Sequence, residues 1–238
     1  CTHHGKGTYT EYDIEDLKES ITRSQAKLVF LVDDMIHKKR LLDLASMLKE
    51  LDVEWMCQLR PTKDLNKQTL QTLHESGCRI ILWGVESGND EILKKIRKGT
   101  NTTDIKQVLK DSHEAGIKNV TYILFGFPGE NKEAFIDTIN FLKEQSPHID
   151  LISTATFGLQ QGAIAYENPQ EYGITKITKA KRQLLPDKVS YEVKEGLHAH
   201  EAKTLRKKYK KTIENINKYP KEMNIFREHL LYVVSTTK

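Results

Sequence analysis

The sequence predicts an α/β fold, a partial (β/α) TIM-like barrel with parallel strands and a helical extension at its C-terminal end. Strand-like segments start near five residues, at separations of 25, 25, 39 and 32 positions: Leu28, Val53, Cys78, Ile117 and Ile149. That spacing is typical of repeated βα units, which form a parallel sheet. Polar residues or glycines follow each strand. Such groups converging at one rim favour a barrel mouth over a single crevice in an open sheet.

The stretch from Gly77 to Asp90 is the most informative part of the chain. Residues 78–85 are mostly apolar, which predicts a strand buried on both faces. Glu86 follows directly, where a parallel sheet places its ligands. Taken alone, Glu86 is equally well explained as a solvated loop acid. Ser87, three residues before Asp90, is the predicted cap of the next helix.

The alternation of side chains along two strands predicts which residues face inward. Met56, Gln58 and Arg60 share one face of their strand, because successive side chains point to opposite sides. Gly84 and Glu86 share the corresponding face of the next strand. The polar ends are therefore expected to point into the barrel, while the large apolar residues face the helices.

Apolar residues at helical spacing predict the helices between these strands. They include Asp13 through Gln25, Thr103 to Ala115 and a helix capped by Asn131. Beyond Gly162 the βα pattern stops. We divide the chain into a partial barrel, residues 1–165, and a helical basic extension, residues 166–238. Within the extension the sequence predicts a short helix at Thr178 to Leu185 and a helix marked by the stripe Leu205, Tyr209, Ile213 and Ile216. It also predicts a final helix that holds Ile225, Phe226, Leu230 and Val233.

The charge of the chain is uneven. Its formal net charge is +4, but the extension has 16 Lys and Arg against 9 Asp and Glu, and the remainder has 21 against 24. The basic stretch at 203–211 lacks interleaved aromatic residues, so we interpret it as a solvated face and do not expect nucleic acid to bind.

The sequence contains no run of 18 or more apolar residues, so it predicts no transmembrane segment. Residues 1–15 lack the apolar core of a signal peptide. The three cysteines have no disulfide-like spacing, which favours a reducing compartment and a cytoplasmic location.

Five motifs together resemble those of one enzyme family. They occur in the order and spacing of that family: Cys1-Thr-His-His-Gly-Lys-Gly7, Phe30-Leu-Val-Asp-Asp34, Gln58-Leu-Arg-Pro61, Trp83-Gly-Val-Glu-Ser-Gly-Asn89 and Phe125-Gly-Phe-Pro-Gly-Glu130. The chain resembles radical S-adenosylmethionine (SAM) enzymes, and within them the cobalamin-binding subgroup, over roughly residues 1–173.

The resemblance implies a 4Fe–4S cluster, SAM and, through an upstream domain, cobalamin. It implies reductive cleavage of SAM to a 5′-deoxyadenosyl radical, for methylation or another modification of the substrate. The implied partners are a small-molecule or lipid-like substrate and a reductant such as flavodoxin or ferredoxin.

The resemblance also implies roles for individual residues. Cys1 corresponds to the third cysteine ligand of the cluster. The SAM contacts are expected among Asp33 and Asp34 at its amino group, Arg60 at a carboxylate, Glu86 and Ser87 at its ribose or methionine part, and Gly126 and Gly129 beside its adenine. Gln58 is a further expected contact, with no part of SAM assigned to it.

The chain departs from the family because Cys1 stands where three cysteines are needed. We therefore expect a fragment that lacks the first barrel strand and, as given, is inactive. Two alternatives stay open: a relative of tRNA methylthiotransferases without cobalamin, and a non-catalytic βα-barrel binding module.

Overall fold

A computed structural model describes residues 10–33, 36–181 and 188–237. Its main sheet has five parallel strands in sequential order. The strands are β1 (Leu28–Leu31), β2 (Glu54–Leu59), β3 (Cys78–Glu86), β4 (Lys118–Phe125) and β5 (Leu151–Thr156). All five predicted strands are confirmed. Sequential order is that of a barrel, since a doubly wound sheet reverses its order at the switch point.

Helices cover one face of this sheet, here called the outer face. They are α1 (Ile14–Ser24), α2 (Lys38–Glu50), α3 (Lys67–Glu75), α4 (Asp90–Ile96), α5 (Thr102–Glu114) and α6 (Lys132–Glu144). A single core joins them to the outward-pointing strand residues, among them Trp55, Trp83 and Phe125, which are completely buried. The helices that connect the strands all lie on this face, which together with the sequential strands confirms the partial (β/α) barrel.

The helix starts agree with the predicted capping chemistry, with one correction. Asp13 and Asn131 accept hydrogen bonds from the first-turn amides of α1 and α6. Ser87 was predicted to cap α4, but Asn89 does so by accepting from the amide of Ile92. Ser87 instead accepts from the amide of Asn89, one step earlier in the same turn.

The extension begins with strands where we predicted a helix. After α7 (Ile164–Glu167) and a 3-10 turn at Pro169–Tyr172, β6 (Ile174–Ala180) pairs antiparallel with β7 (Lys188–Val193). The predicted helix at 178–185 is therefore wrong for residues 178–180, and 182–187 lie outside the described residues. The alternation of Val189, Tyr191 and Val193 carried the strand signal. The predicted boundary at residue 165 falls within α7.

The two predicted C-terminal helices are confirmed, but Ile216, Ile225 and Phe226, which we predicted to be helical, lie outside their bounds. The helix α8 (Ala199–Glu214) lies on the outer face, where its residue Ile213 joins the core. A 3-10 turn at Lys221–Asn224 leads into α9 (Arg227–Thr236), which packs on the opposite, inner face. No helix in the described ranges is both long and apolar enough to cross a membrane.

Candidate functional site

The inner face of the sheet changes from buried and apolar to partly exposed toward the carboxyl ends of the strands. Its lower part is a buried cluster of strand residues and of Leu230 and Leu231 from α9, with Met56, Ile80, Leu82, Val120 and Leu151 from the strands. The next inward position on each of four strands is partly exposed, and we call these positions the polar row: Gln58, Gly84, Tyr122 and Ser153. Gln58 pairs in register with Leu82 and therefore lies one inward position lower than the other three. Tyr122 pairs in register with both Gly84 and Ser153. The polar row is thus partly exposed, while α9 covers the apolar layer beneath it.

An ion pair stands directly above the polar row. The Nζ of Lys98 lies 2.8 Å from Oε1 of Glu86, and the two side chains are 16% and 23% exposed. A β-bulge falls between Gly84 and Glu86, and Glu86 has a φ of 68°, in the left-handed region. A bulge re-aims the side chain that follows it, and left-handed non-glycine residues concentrate at functional sites.

Gly84 leaves room for this arrangement. A Cβ atom added there would lie 2.7 Å from Lys98 Nζ and 3.3 Å from Glu86 Oε1. The absence of a side chain therefore lets the ion pair sit over the inner face of β3. The predicted inward direction of Gly84 is confirmed by these contacts.

Lys98 reaches the site from the loop between α4 and α5, and the end of β2 holds that loop. The hydroxyl of Thr100 donates to the carbonyl of Pro61 at 2.6 Å. Gly99 lies beside Arg60, whose Nη1 would be 3.4 Å from an added Cβ. Gln58, Arg60, Glu86 and Lys98 therefore belong to one region of the rim. Sequence reasoning found the first three and missed Lys98.

The turn after β4 is built around a buried carboxyl group. Glu130 is 0% exposed, and its Oε2 accepts a hydrogen bond from the amide of Gly126. Its Oε1 has no hydrogen-bond partner among the described residues. Burial raises the pKa of Glu130 to about 7, because a low-dielectric site disfavours the carboxylate. Sequence reasoning included Glu130 in a motif but gave it no role.

The two predicted adenine-contact glycines have other neighbours in this structure. Gly126 has a φ of 75°, and a Cβ there would lie 2.6 Å from that of Ala202 in α8. Gly129 has a φ of 84°, and its open side faces the ammonium of Lys95. Both glycines are required by backbone conformation and close packing, independently of any ligand.

Comparison with known proteins places the chain in a family. The model of the Radical SAM superfamily matches residues 1–142, more than half of the sequence. The chain belongs to the radical SAM superfamily.

Relatives within this superfamily include methyl- and methylthiotransferases. The chain is 28% identical over 143 residues to an uncharacterized methyltransferase of Pyrococcus horikoshii, covering 58% of this chain and 31% of that protein. It is 34% identical over 112 residues to a probable threonylcarbamoyladenosine tRNA methylthiotransferase of Methanocaldococcus jannaschii, covering 46% of this chain and 25% of that protein. The chain thus spans a third or less of the length of these relatives.

A solved structure shares the fold. It is a radical SAM methyltransferase of Kitasatospora setae with cobalamin and a [4Fe–4S] cluster bound. The TM-score is 0.56 at 15% sequence identity, over 71% of this chain and 36% of that one. The partial radical SAM barrel predicted from the sequence is therefore confirmed.

The rim residues of this radical SAM chain fit SAM in chemical type. SAM carries an ammonium and hydroxyls that need acceptors, which Glu86 and Gln58 supply, and a carboxylate that Arg60 or Lys98 could pair with. Asp33 is exposed just beyond β1, and Asp34 lies outside the described residues. Ser87 is completely buried and bonds Thr138 Oγ1 at 3.1 Å, so it supports the turn at Glu86 from behind.

The described residues do not supply a ligand set for the cluster. Cys57 and Cys78 are completely buried in the core on the outer face. Burial raises the pKa of Cys57, which disfavours the thiolate that iron would need. No group of three metal-ligating side chains occurs in the described ranges. Cys1, the predicted ligand, lies outside them.

Proposed function

We propose that the protein containing this chain is a radical SAM enzyme that modifies its substrate by methylation or a related transfer. The observation that carries the proposal is the Glu86–Lys98 ion pair above the polar row, at the open rim of a barrel that belongs to this superfamily. When bound, the cluster and SAM supply a 5′-deoxyadenosyl radical.

The chain's own residues position SAM in this proposal. Glu86 accepts hydrogen bonds from the ribose hydroxyls or the ammonium, and Lys98 holds the Glu86 carboxylate in place. Arg60 pairs with the carboxylate of SAM, with Asp33 and Asp34 at its ammonium. Gly126 and Gly129 form the wall nearest the adenine, through their backbone.

Cobalamin is the further cofactor we propose, bound by a domain upstream of residue 1. Its support is the shared fold with a cobalamin-containing methyltransferase. A flavodoxin or ferredoxin is the proposed electron donor, and a small or lipid-like molecule the proposed substrate.

A methylthiotransferase acting on tRNA is the second candidate. Its support is the 34% identity to the tRNA methylthiotransferase relative. Mass spectrometry of tRNA nucleosides from cells with and without the gene separates the two candidates, because only the second predicts that a sulfur-containing methylthio group disappears from tRNA when the gene is absent.

The test of SAM binding uses the full-length protein and a matched pair of variants. Glu86→Ala removes the proposed acceptor, whereas Glu144→Ala removes an ion-paired glutamate on the outer helices, 2.7 Å from Lys106. Calorimetry should show SAM affinity reduced about 10- to 100-fold by the first change, since charged hydrogen bonds contribute about 1.5–3 kcal/mol. The second should leave it unchanged. Equal affinities in both variants would overturn the role of Glu86.

A further inference from the structure

An arginine from the C-terminal extension lies on the inner face beside the polar row. Arg227 is the first residue of α9, and its Nη1 donates a hydrogen bond to the hydroxyl of Tyr122. Its guanidinium carbon is 5.9 Å from the centre of the Tyr122 ring. This contact joins β4 to a residue 105 positions later in the chain.

Arg227 has no carboxylate ion-pair partner among the described residues, unlike Arg79 and Arg97. Arg79 pairs with Glu54 at 2.9 Å, and Arg97 pairs with Glu171. The Nε of Arg227 is buried and has no hydrogen-bond acceptor in the described part of the chain. A buried donor without an acceptor is destabilising, and a partly buried charge more so.

The surroundings of Arg227 are partly exposed on the side of the rim. Tyr122 and its register partners Gly84 and Ser153 are all partly exposed, whereas the layer beneath them is sealed by Leu230 and Leu231. A molecule held at Arg227 would therefore extend upward, toward the ion pair of Glu86.

We infer that Arg227 and Tyr122 form a binding subsite for an anionic group, a carboxylate or a phosphate, of the enzyme's substrate. The guanidinium presents a planar fork of N–H donors that matches the paired oxygens of these groups. The Tyr122 hydroxyl adds a further polar contact. The inference rests on the proposed function, in that it takes the bound molecule to be the substrate that shares the barrel with SAM.

The test is an anion titration of the full-length protein labelled with ¹³C-tyrosine. The Tyr122 resonance is assigned through Tyr122→Phe, and acetate and inorganic phosphate are the probes. Arg227→Gln is compared with Arg206→Gln, which removes another partly buried arginine of the extension, one that donates to the Thr154 carbonyl at 2.8 Å. SAM affinity is measured on each variant.

We expect one or both anions to shift the Tyr122 resonance saturably, and Arg227→Gln to weaken that binding about tenfold or more. Arg206→Gln should bind like the wild type, and Arg227→Gln should keep its affinity for SAM. The stronger anion identifies the substrate group as carboxylate or phosphate. The inference is overturned if neither anion shifts the Tyr122 resonance, or if the Arg227→Gln variant binds the anions as tightly as the wild type does. It is also overturned if the Arg227→Gln variant loses affinity for SAM. If the wild-type protein does not bind SAM, that result would instead count against the proposed function.

Discussion

Glu86 combines a strained backbone with a paired side chain. A non-glycine residue at a φ of 68° is destabilised by roughly 1–2 kcal/mol relative to its right-handed conformation. The bulge and the ion pair with Lys98 hold it there. Strain that the surroundings fix in this way is typical of ligand-binding positions. The sequence predicted Glu86 at the rim. Its left-handed backbone conformation accompanies the bulge, which no residue pattern in the sequence predicts.

Glu130 is expected to make stability depend on pH. Its pKa is about 7 when folded and returns to its ordinary 4.5 when the chain unfolds. The folded state therefore holds the proton more tightly, and this stabilisation is complete below about pH 4.5 and lost as pH rises through 7. The shift corresponds to about 3 kcal/mol.

The measurement compares the wild type with Glu130→Gln, which stays neutral and keeps an acceptor for the Gly126 amide. Urea unfolding at pH 5 and pH 8 should show the wild type losing roughly 2–3 kcal/mol relative to the variant. Other titrating groups, such as His74 and His148, are common to both proteins and cancel. A difference that is constant with pH would refute the prediction.

At the scale of the element, the contact of α8 with the turn after β4 is expected to be tightly packed. Gly126→Ala places a methyl group 2.6 Å from the Cβ of Ala202, at a φ of 75°. We expect a loss of roughly 2–4 kcal/mol in the free energy of unfolding, from overpacking and the left-handed backbone.

The double variant Gly126→Ala with Ala202→Gly separates the contribution of overpacking to the free energy of unfolding from that of the left-handed backbone. It removes the clash but not the backbone strain, so the two changes should be non-additive by at least about 1 kcal/mol. Urea unfolding of the four proteins measures this coupling energy. Additive effects would mean that α8 moves aside freely.

The βα elements could be predicted because their signals are local. Strand starts at regular spacing and apolar stripes between them depend only on neighbouring residues. The hairpin of β6 and β7 was missed, although its second strand alternates clearly, because we extended the helical interpretation of the tail across it. Lys98 was missed because nothing near it in sequence marks a lysine whose partner lies 12 residues earlier. The role of Arg227 was harder still to predict from the sequence, because its contact with Tyr122 joins residues 105 positions apart.

At the scale of the molecule, the two faces of the sheet have different roles. The outer face packs against α1 to α6 and α8, and it contains the largest buried side chains. The inner face is covered by α9 only in its lower half. In the proposed function, this division keeps stability and ligand binding on opposite sides of the same strands. Residues of the rim can therefore change with limited effect on the core.

The 238-residue polypeptide is expected to hold no stoichiometric 4Fe–4S cluster. Such a cluster needs several thiolates converging on one site, and this polypeptide has three cysteines. Two of them, Cys57 and Cys78, are fixed and completely buried on neighbouring strands, facing the outer helices and away from the rim.

Anaerobic reconstitution with iron and sulfide, followed by visible absorption and a 5′-deoxyadenosine assay, provides the measurement. The double variant Cys57→Ala with Cys78→Ala should give the same iron content as the wild type, because neither thiol is a ligand. A full cluster with SAM cleavage in the 238-residue polypeptide would contradict both the predicted role of Cys1 and the need for further cysteines.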